Sequence, residues 1–139
     1  LHGLSLVIKA ALKGVERMSV ESKQDRECLV VRVSGELDLR TAGELKSEVD
    51  PVLERAPERP VVVLDLSDVS FMDSSGMGAI LGRYRTVSQM GGKLVVCGLT
   101  PQLRKLFELT GLMRIIPVYA SVDDAISSLR GGSAGAQSQ

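Results

Sequence analysis

The sequence predicts an α/β fold: a mixed, mostly parallel sheet of four to five strands carrying about four helices. Three observations predict it. After Ser34, short apolar runs rich in β-branched residues alternate with stretches whose apolar residues recur every three or four positions, the pattern of strand–helix–strand units. Before Ser34, two strand-like runs are separated only by a short turn, so the chain opens with an antiparallel hairpin. The length of 139 residues suits one domain, enough to bury about two-thirds of the unfolded surface.

The elements follow in order. In residues 1–17, Leu4, Val7, Ile8, Ala11, Leu12 and Val15 fall on one helical face, with Lys9, Lys13 and Arg17 elsewhere. This reads as an extra N-terminal segment: an amphipathic helix, used in self-association or at a membrane surface, or upstream sequence. The apolar core is too short and too broken by Lys9 for a secretory signal. Residues 20–24 form a weak strand and residues 28–33 a strong one. Thr41 and Glu44 have capping-box spacing ahead of a stripe of Ala42, Leu45, Val49, Val52 and Leu53. Pro51 removes a helical hydrogen bond and predicts a kink or break there. Residues 94–97 are a buried strand, and Thr100-Pro101 starts a helix that Gly111 stops. Residues 114–118 read as a short strand, Ser121 caps a last helix through Leu129, and residues 131–139 read as a disordered tail.

The chain turns on residues 61–90. Val61 to Leu66 is a strand buried on both faces. Met77, Ile80, Leu81, Tyr84 and Val87 form one helical stripe. Between them lies Asp73-Ser74-Ser75-Gly76. Small polar residues before a stripe are an N-cap signature, because their oxygens accept the unpaired N–H groups of the first turn. A serine at that place is accessible and sits in a field that favours added negative charge.

Much chemistry is excluded. With 17 basic and 17 acidic residues and no tryptophan, the chain lacks the excess charge and stacking surface of a general nucleic-acid binder. The only histidine is His2, so no base stands beside a nucleophilic serine. Ser75-Gly76-Met77-Gly78 is not a nucleophile elbow, and there is no phosphate loop; Gly76, Gly78 and Gly82 miss the dinucleotide spacing by one residue. Two distant cysteines cannot close a zinc site. Cys28 and Cys97 read as small buried hydrophobes of a reducing compartment. Asp65, near a strand end, would need an acidic pair and a distal lysine to work as a phospho-acceptor. No apolar run approaches the ~20 residues of a membrane span. The domain reads as cytoplasmic, with no metal, no cofactor and no catalytic residue of its own.

Asp65-Leu66-Ser67-Asp68-Val69-Ser70-Phe71-Met72-Asp73-Ser74-Ser75-Gly76-Met77-Gly78 resembles the signature of STAS domains, the sulfate-transporter and anti-sigma-factor-antagonist family. Gly35-Glu36-Leu37-Asp38, Ile80-Leu81-Gly82-Arg83-Tyr84, Gly91-Gly92-Lys93-Leu94-Val95-Val96-Cys97 and the run from Leu103 to Leu112 resemble it too, in the right order. The likeness is strongest to the sporulation-type antagonists, and Met18-Ser19 looks like their start. It implies a STAS-type sandwich over residues 18–130. It also implies that the serine after the signature aspartate, here Ser74, is phosphorylated by an anti-sigma factor that is a serine kinase, and restored by a serine phosphatase. The unphosphorylated form binds that kinase and releases the sigma factor. Glu36, Asp38, Asp73, Ser75, Gly76 and Met77 are the expected partner-binding positions. Asp38 has the competing reading of a turn cap, Met77 that of a core residue, and Arg83 reads as a solvated helix charge. Two alternatives stand beside this function: a scaffold subunit of a stress-sensing assembly, and a weak nucleotide-binding protein.

Overall fold

A computed structural model describes residues 5–12 and 15–131, with side chains from 18 to 130. Six strands lie in chain order across one sheet: β1 (Ser5–Leu12), β2 (Val15–Asp25), β3 (Cys28–Leu37), β4 (Val61–Met72), β5 (Lys93–Cys97) and β6 (Val118–Tyr119). The β1–β2 and β2–β3 pairs are antiparallel and the other three pairs are parallel. Four helices join them: α1 (Ala42–Glu54), α2 (Ser74–Gln89), α3 (Pro101–Thr110) and α4 (Val122–Gly131). This is the mixed, mostly parallel α/β sheet the sequence predicts, with one strand more than expected.

The alternation of β side chains sorts the core into two layers. Leu29, Val31, Val62, Leu64, Leu94 and Val96 point to the face covered by α1, α2 and α3, where Leu45, Ile80 and Phe107 are fully buried. Burying each such side chain is worth about 2–3 kcal/mol. Val30, Val63, Val95 and Cys97 point the other way, against Ala125 and Ile126 of α4 alone. Both cysteines are buried and free. Burial pushes the Cys97 thiol up to about 12, with the Asp65 carboxylate adding to it.

Several local expectations are corrected. The segment expected as an N-terminal helix contains β1, the edge strand paired with β2; its apolar residues fit a helical stripe, but pairing with an adjacent strand decides the backbone. Of the expected tail, Gly131 closes α4 and residues 132–139 lie outside the described residues. Helix α1 runs through Pro51 without breaking. Thr41 does not form a capping box: its hydroxyl accepts from the Asp38 amide (2.9 Å) and donates to the Glu36 carbonyl (2.8 Å), facing back toward β3. The strand expected at 114–118 is a 3-10 turn, Leu112–Arg114, followed by only two residues of β6. Other stops stand as read. Thr100 caps Leu103, Gly111 adopts φ 81°, and the Ser121 hydroxyl accepts from Asp124.

The central strand runs six residues further than its apolar run implies, through two bulges. Arg32 and Ser34 of β3 face Asp65 and Asp68, and Gly35 and Glu36 face Val69 and Phe71, so β4 carries one extra residue at each step. Each bulge resets the alternation. Leu66, Val69 and Met72 all face the core, three residues apart, while Ser67, Asp68, Ser70 and Phe71 face out. The strand therefore ends beside the close of β3 and delivers Asp73 and Ser74 to the surface at the start of α2.

Candidate partner-docking and modification site

The site forms where two parallel strands end and two helices begin. Glu36 and Leu37 close β3 in register with Phe71 and Met72 of β4. The turn after β3 is held by Asp38. Its Oδ1 accepts from the amides of Arg40 (2.9 Å) and Thr41 (3.2 Å), and the residue is only 9% exposed. Burial works to raise its pKa, but the Arg40 amide and guanidinium and the Thr41 amide outweigh it and hold the carboxyl below the ordinary range. Arg40 also reaches Glu36 at 3.6 Å, drawing that carboxylate into the same cluster.

A carboxylate whose folded pKa is depressed stabilises the fold above its unfolded pKa, near 3.9, and loses that contribution as pH falls through its folded value. The Asp25 carboxyl, bonded to Arg26, acts in the same direction. Thermal midpoints should therefore hold level from pH 7 to 5 and fall between pH 4 and 3. Asp38→Asn should make that fall shallower.

Asp73 caps α2, and neither serine does. Its Oδ1 accepts from the Gly76 amide (3.0 Å), while Oδ2 accepts from the Leu39 amide (3.2 Å) in the turn after β3. The Asp73 amide in turn donates to the Leu37 carbonyl at 3.4 Å. Gly76 is required by this approach: a Cβ there would lie 2.2 Å from the Leu37 carbonyl oxygen and 2.9 Å from Met72 Cγ. Ser74 is the first residue of a 16-residue helix and is exposed; among the described residues no hydrogen bond engages its hydroxyl. Ser75 is half-buried. With the cap supplied by a neighbour, the Ser74 oxygen is left available beside free helix N–H groups.

The expected contact residues divide. Ser74, Ser75, Asp73 and Glu36 reach the surface. Asp38 is spent on its own turn, and Met77, 9% exposed, packs in the core with the Thr110 hydroxyl 3.8 Å from its sulfur. Gly76 is buried and offers no side chain. Two residues were missed. Leu39 is 75% exposed and its amide bonds the Asp73 carboxylate, and Phe71 is 51% exposed and pairs with Glu36 at the end of β3. Phe71 breaks the three-residue spacing of Leu66, Val69 and Met72, a signal readable only once the bulges are known. Arg83 is a correction: it is 5% exposed, and its Nη1 meets Asp50 Oδ1 at 2.8 Å, tying α2 to α1.

The other face of the sheet holds a concavity of ≈ 500 Å³ beside Asp65, Arg32, Gly98 and Ser121. Asp65 is 3% exposed and both its oxygens are engaged, by Arg32 Nε (3.0 Å) and the Ser67 amide (3.0 Å), so it is no phospho-acceptor. The carboxylates of Glu21, Asp25, Asp65 and Asp123 outnumber Lys23 and Arg32 around that hollow, an environment that disfavours a nucleotide triphosphate. Among the described residues no group of three or more His, Cys, Asp or Glu is placed to hold a metal ion, and no helix is long and apolar enough to cross a membrane.

A family model described as the STAS domain matches residues 19–125, spanning both β-bulges, the Asp73 cap and Ser74. The chain belongs to the STAS family. This STAS domain is 38% identical over 112 residues to the anti-sigma F factor antagonist of Paenibacillus polymyxa, an alignment covering 81% of this chain and 95% of the relative. Among solved structures it resembles an anti-sigma factor antagonist from Mycobacterium paratuberculosis, with 31% identity, a TM-score of 0.73 and coverage of 81% of this chain and 94% of that one. It also resembles the antagonist SpoIIAA in its unphosphorylated form, with 29% identity, a TM-score of 0.66 and coverage of 81% and 96%. The phosphorylated form of the Bacillus cell fate determinant SpoIIAA aligns with 28% identity, a TM-score of 0.60 and coverage of 80% and 99%. The family match begins at residue 19, so β1 and the first four residues of β2 lie ahead of it.

Proposed function

We propose that this STAS domain is an anti-sigma factor antagonist switched at Ser74. With Ser74 bare, it binds an anti-sigma factor in the cytoplasm and frees the sigma factor that the anti-sigma factor holds. The anti-sigma factor is also a serine kinase. The Ser74 oxygen attacks the γ-phosphorus of ATP; the new O–P bond forms as the bond to ADP breaks, and the hydroxyl proton passes to a base on the kinase. A separate serine phosphatase hydrolyses the ester and restores binding. The domain is thus a binding module and a kinase substrate, and it supplies no catalytic group or cofactor. The relatives named above support the class of activity. The observation that carries the switch is the exposed, unbonded Ser74 hydroxyl at a helix start whose cap is Asp73.

Phosphorylation adds about −1.5 to −2 charges. The added charge falls beside Asp73 and the outward-facing Glu36, on a surface whose apolar contacts are Leu39 and Phe71. A basic or close-packed partner seated there is displaced by bulk and by repulsion, with the fold intact.

The test is incubation with the cognate anti-sigma factor and ATP, followed by mapping of the modified residue and titration of binding. Ser74 should be the single residue modified. Ser74→Ala should bind and resist modification, and Ser74→Asp should bind at least tenfold more weakly. Modification elsewhere, or equal affinity of bare and phosphorylated forms, overturns the proposal.

A further inference from the structure

The Asp73 carboxylate is shared between two backbone segments, and the two shares are unequal. The arm to Gly76 is 3.0 Å and part-buried, while the arm to Leu39 is 3.2 Å and exposed. The Leu39 arm is the one holding the turn after β3 against the start of α2 from the solvent side. That turn is otherwise self-contained, through Asp38 to the Arg40 and Thr41 amides and Thr41 to the Asp38 amide. It can therefore shift at Leu39 without unravelling. Leu39 is also the most exposed large apolar side chain among the described residues.

A phosphate on Ser74 would sit one residue from this carboxylate, at a helix start where two of the first-turn amides are already engaged. The Met77 amide already donates to the Asp73 carbonyl at 3.0 Å, and the Gly76 amide to the Asp73 side chain. Two anions then compete for the same donors, and each repels the other. The weaker, solvent-exposed arm is the one water can replace at least cost.

We infer that Asp73 is a positioning residue with two arms, and that phosphorylation of Ser74 releases the arm to Leu39 while the helix cap to Gly76 persists. The Leu39 side chain, presented to a partner in the bare form, then loses its fixed place. The modification is read twice, as charge at Ser74 and as a loosened apolar contact at Leu39. The helices, the bulged strand and the core stay where they are.

This rests on Ser74 being the modified residue, and the experiment separates the two ideas by installing phosphoserine at position 74 during synthesis, with no kinase. Amide hydrogen exchange is followed by NMR at Leu39 and Gly76, with the core amide of Val63 as a control. In the bare protein the Leu39 amide should be protected; with phosphoserine it should exchange about tenfold faster while Gly76 and Val63 are unchanged. Asp73→Asn keeps one carbonyl oxygen for the Gly76 cap but has no second acceptor, so its Leu39 amide should exchange fast already, and phosphate should add nothing. Equal Leu39 exchange in bare and phosphorylated protein overturns the inference. So does an acceleration of the same size in Asp73→Asn, because release would then not pass through the carboxylate.

Discussion

Replacing Gly76 by alanine should unfold the start of α2. The added methyl would lie 2.2 Å from a backbone carbonyl oxygen, Leu37 O, which cannot turn aside as a flexible side chain can. Relief requires α2 to back away from the end of β3, which breaks the Asp73 arm to Leu39 and its amide bond to the Leu37 carbonyl and opens the core over Met72. Overpacking of this kind costs about 3 kcal/mol or more, a drop in thermal midpoint of about 10 °C for a domain of this size. Gly78, two residues on, is the control. Nothing lies within 4 Å of a Cβ there and the residue is exposed. Gly78→Ala should stabilise the protein by about 0.5–1 kcal/mol, since alanine loses less backbone entropy in a helix. Melting the two variants side by side by circular dichroism checks the pair. Opposite signs are expected, and a Gly76→Ala midpoint within 2 °C of the parent, on the order of 0.5 kcal/mol, would contradict the close approach.

Asp50→Ala should be nearly as damaging, by another route. Asp50 Oδ1 meets Arg83 at 2.8 Å and Oδ2 meets Lys46 at 2.9 Å. Lys46 is exposed and loses little. The Arg83 guanidinium is enclosed, and its Nε already lacks a protein partner. Removing the carboxylate strands a buried charge, at a cost of about 3 kcal/mol. The double variant Asp50→Leu with Arg83→Met removes both charges and keeps the volume. It should recover most of the loss, because a buried ion pair and a well-packed apolar pair are often close in stability. Urea denaturation of the single and double variants gives the comparison. A double variant no better than Asp50→Ala would mean that the pair does more than compensate its own desolvation. Since α1 and α2 both begin at the Ser74 site, the single variant should also weaken partner binding.

Much of the architecture was legible because local patterns and tertiary demands agree. Val62, Val63 and Leu64 are buried on both faces of the sheet, as an unbroken apolar run requires. Thr100-Pro101 and Gly111 bound α3 by chemistry that acts within four residues. Ser74 was legible for the same reason: a polar cluster between a buried strand and a helical stripe has one place to be. The misreadings share a cause too. Arg83 is charged and sits in a helix, so taken alone it belongs in water; only Asp50, 33 residues away in sequence, brings it inside. Asp38 and Thr41 carry the marks of a surface carboxylate and a helix cap, yet they bond to each other and to Glu36 because β3 ends there. Phe71 was opaque because its outward direction depends on two bulges against β3.

The amino-acid sequence alone determined the α/β class, the four helices and the exposed serine at the head of α2, since hydrophobic period, capping and turn chemistry act over a few residues. Only the tertiary structure decided which acid caps that helix, why Gly76 admits no side chain, and that the exposed Leu39 is tied to that cap while Phe71 turns outward beside Glu36. Those depend on where β3 and β4 end relative to one another. That offset is set by inter-strand pairing across more than thirty residues, at Leu37 and Met72, and no local pattern encodes it.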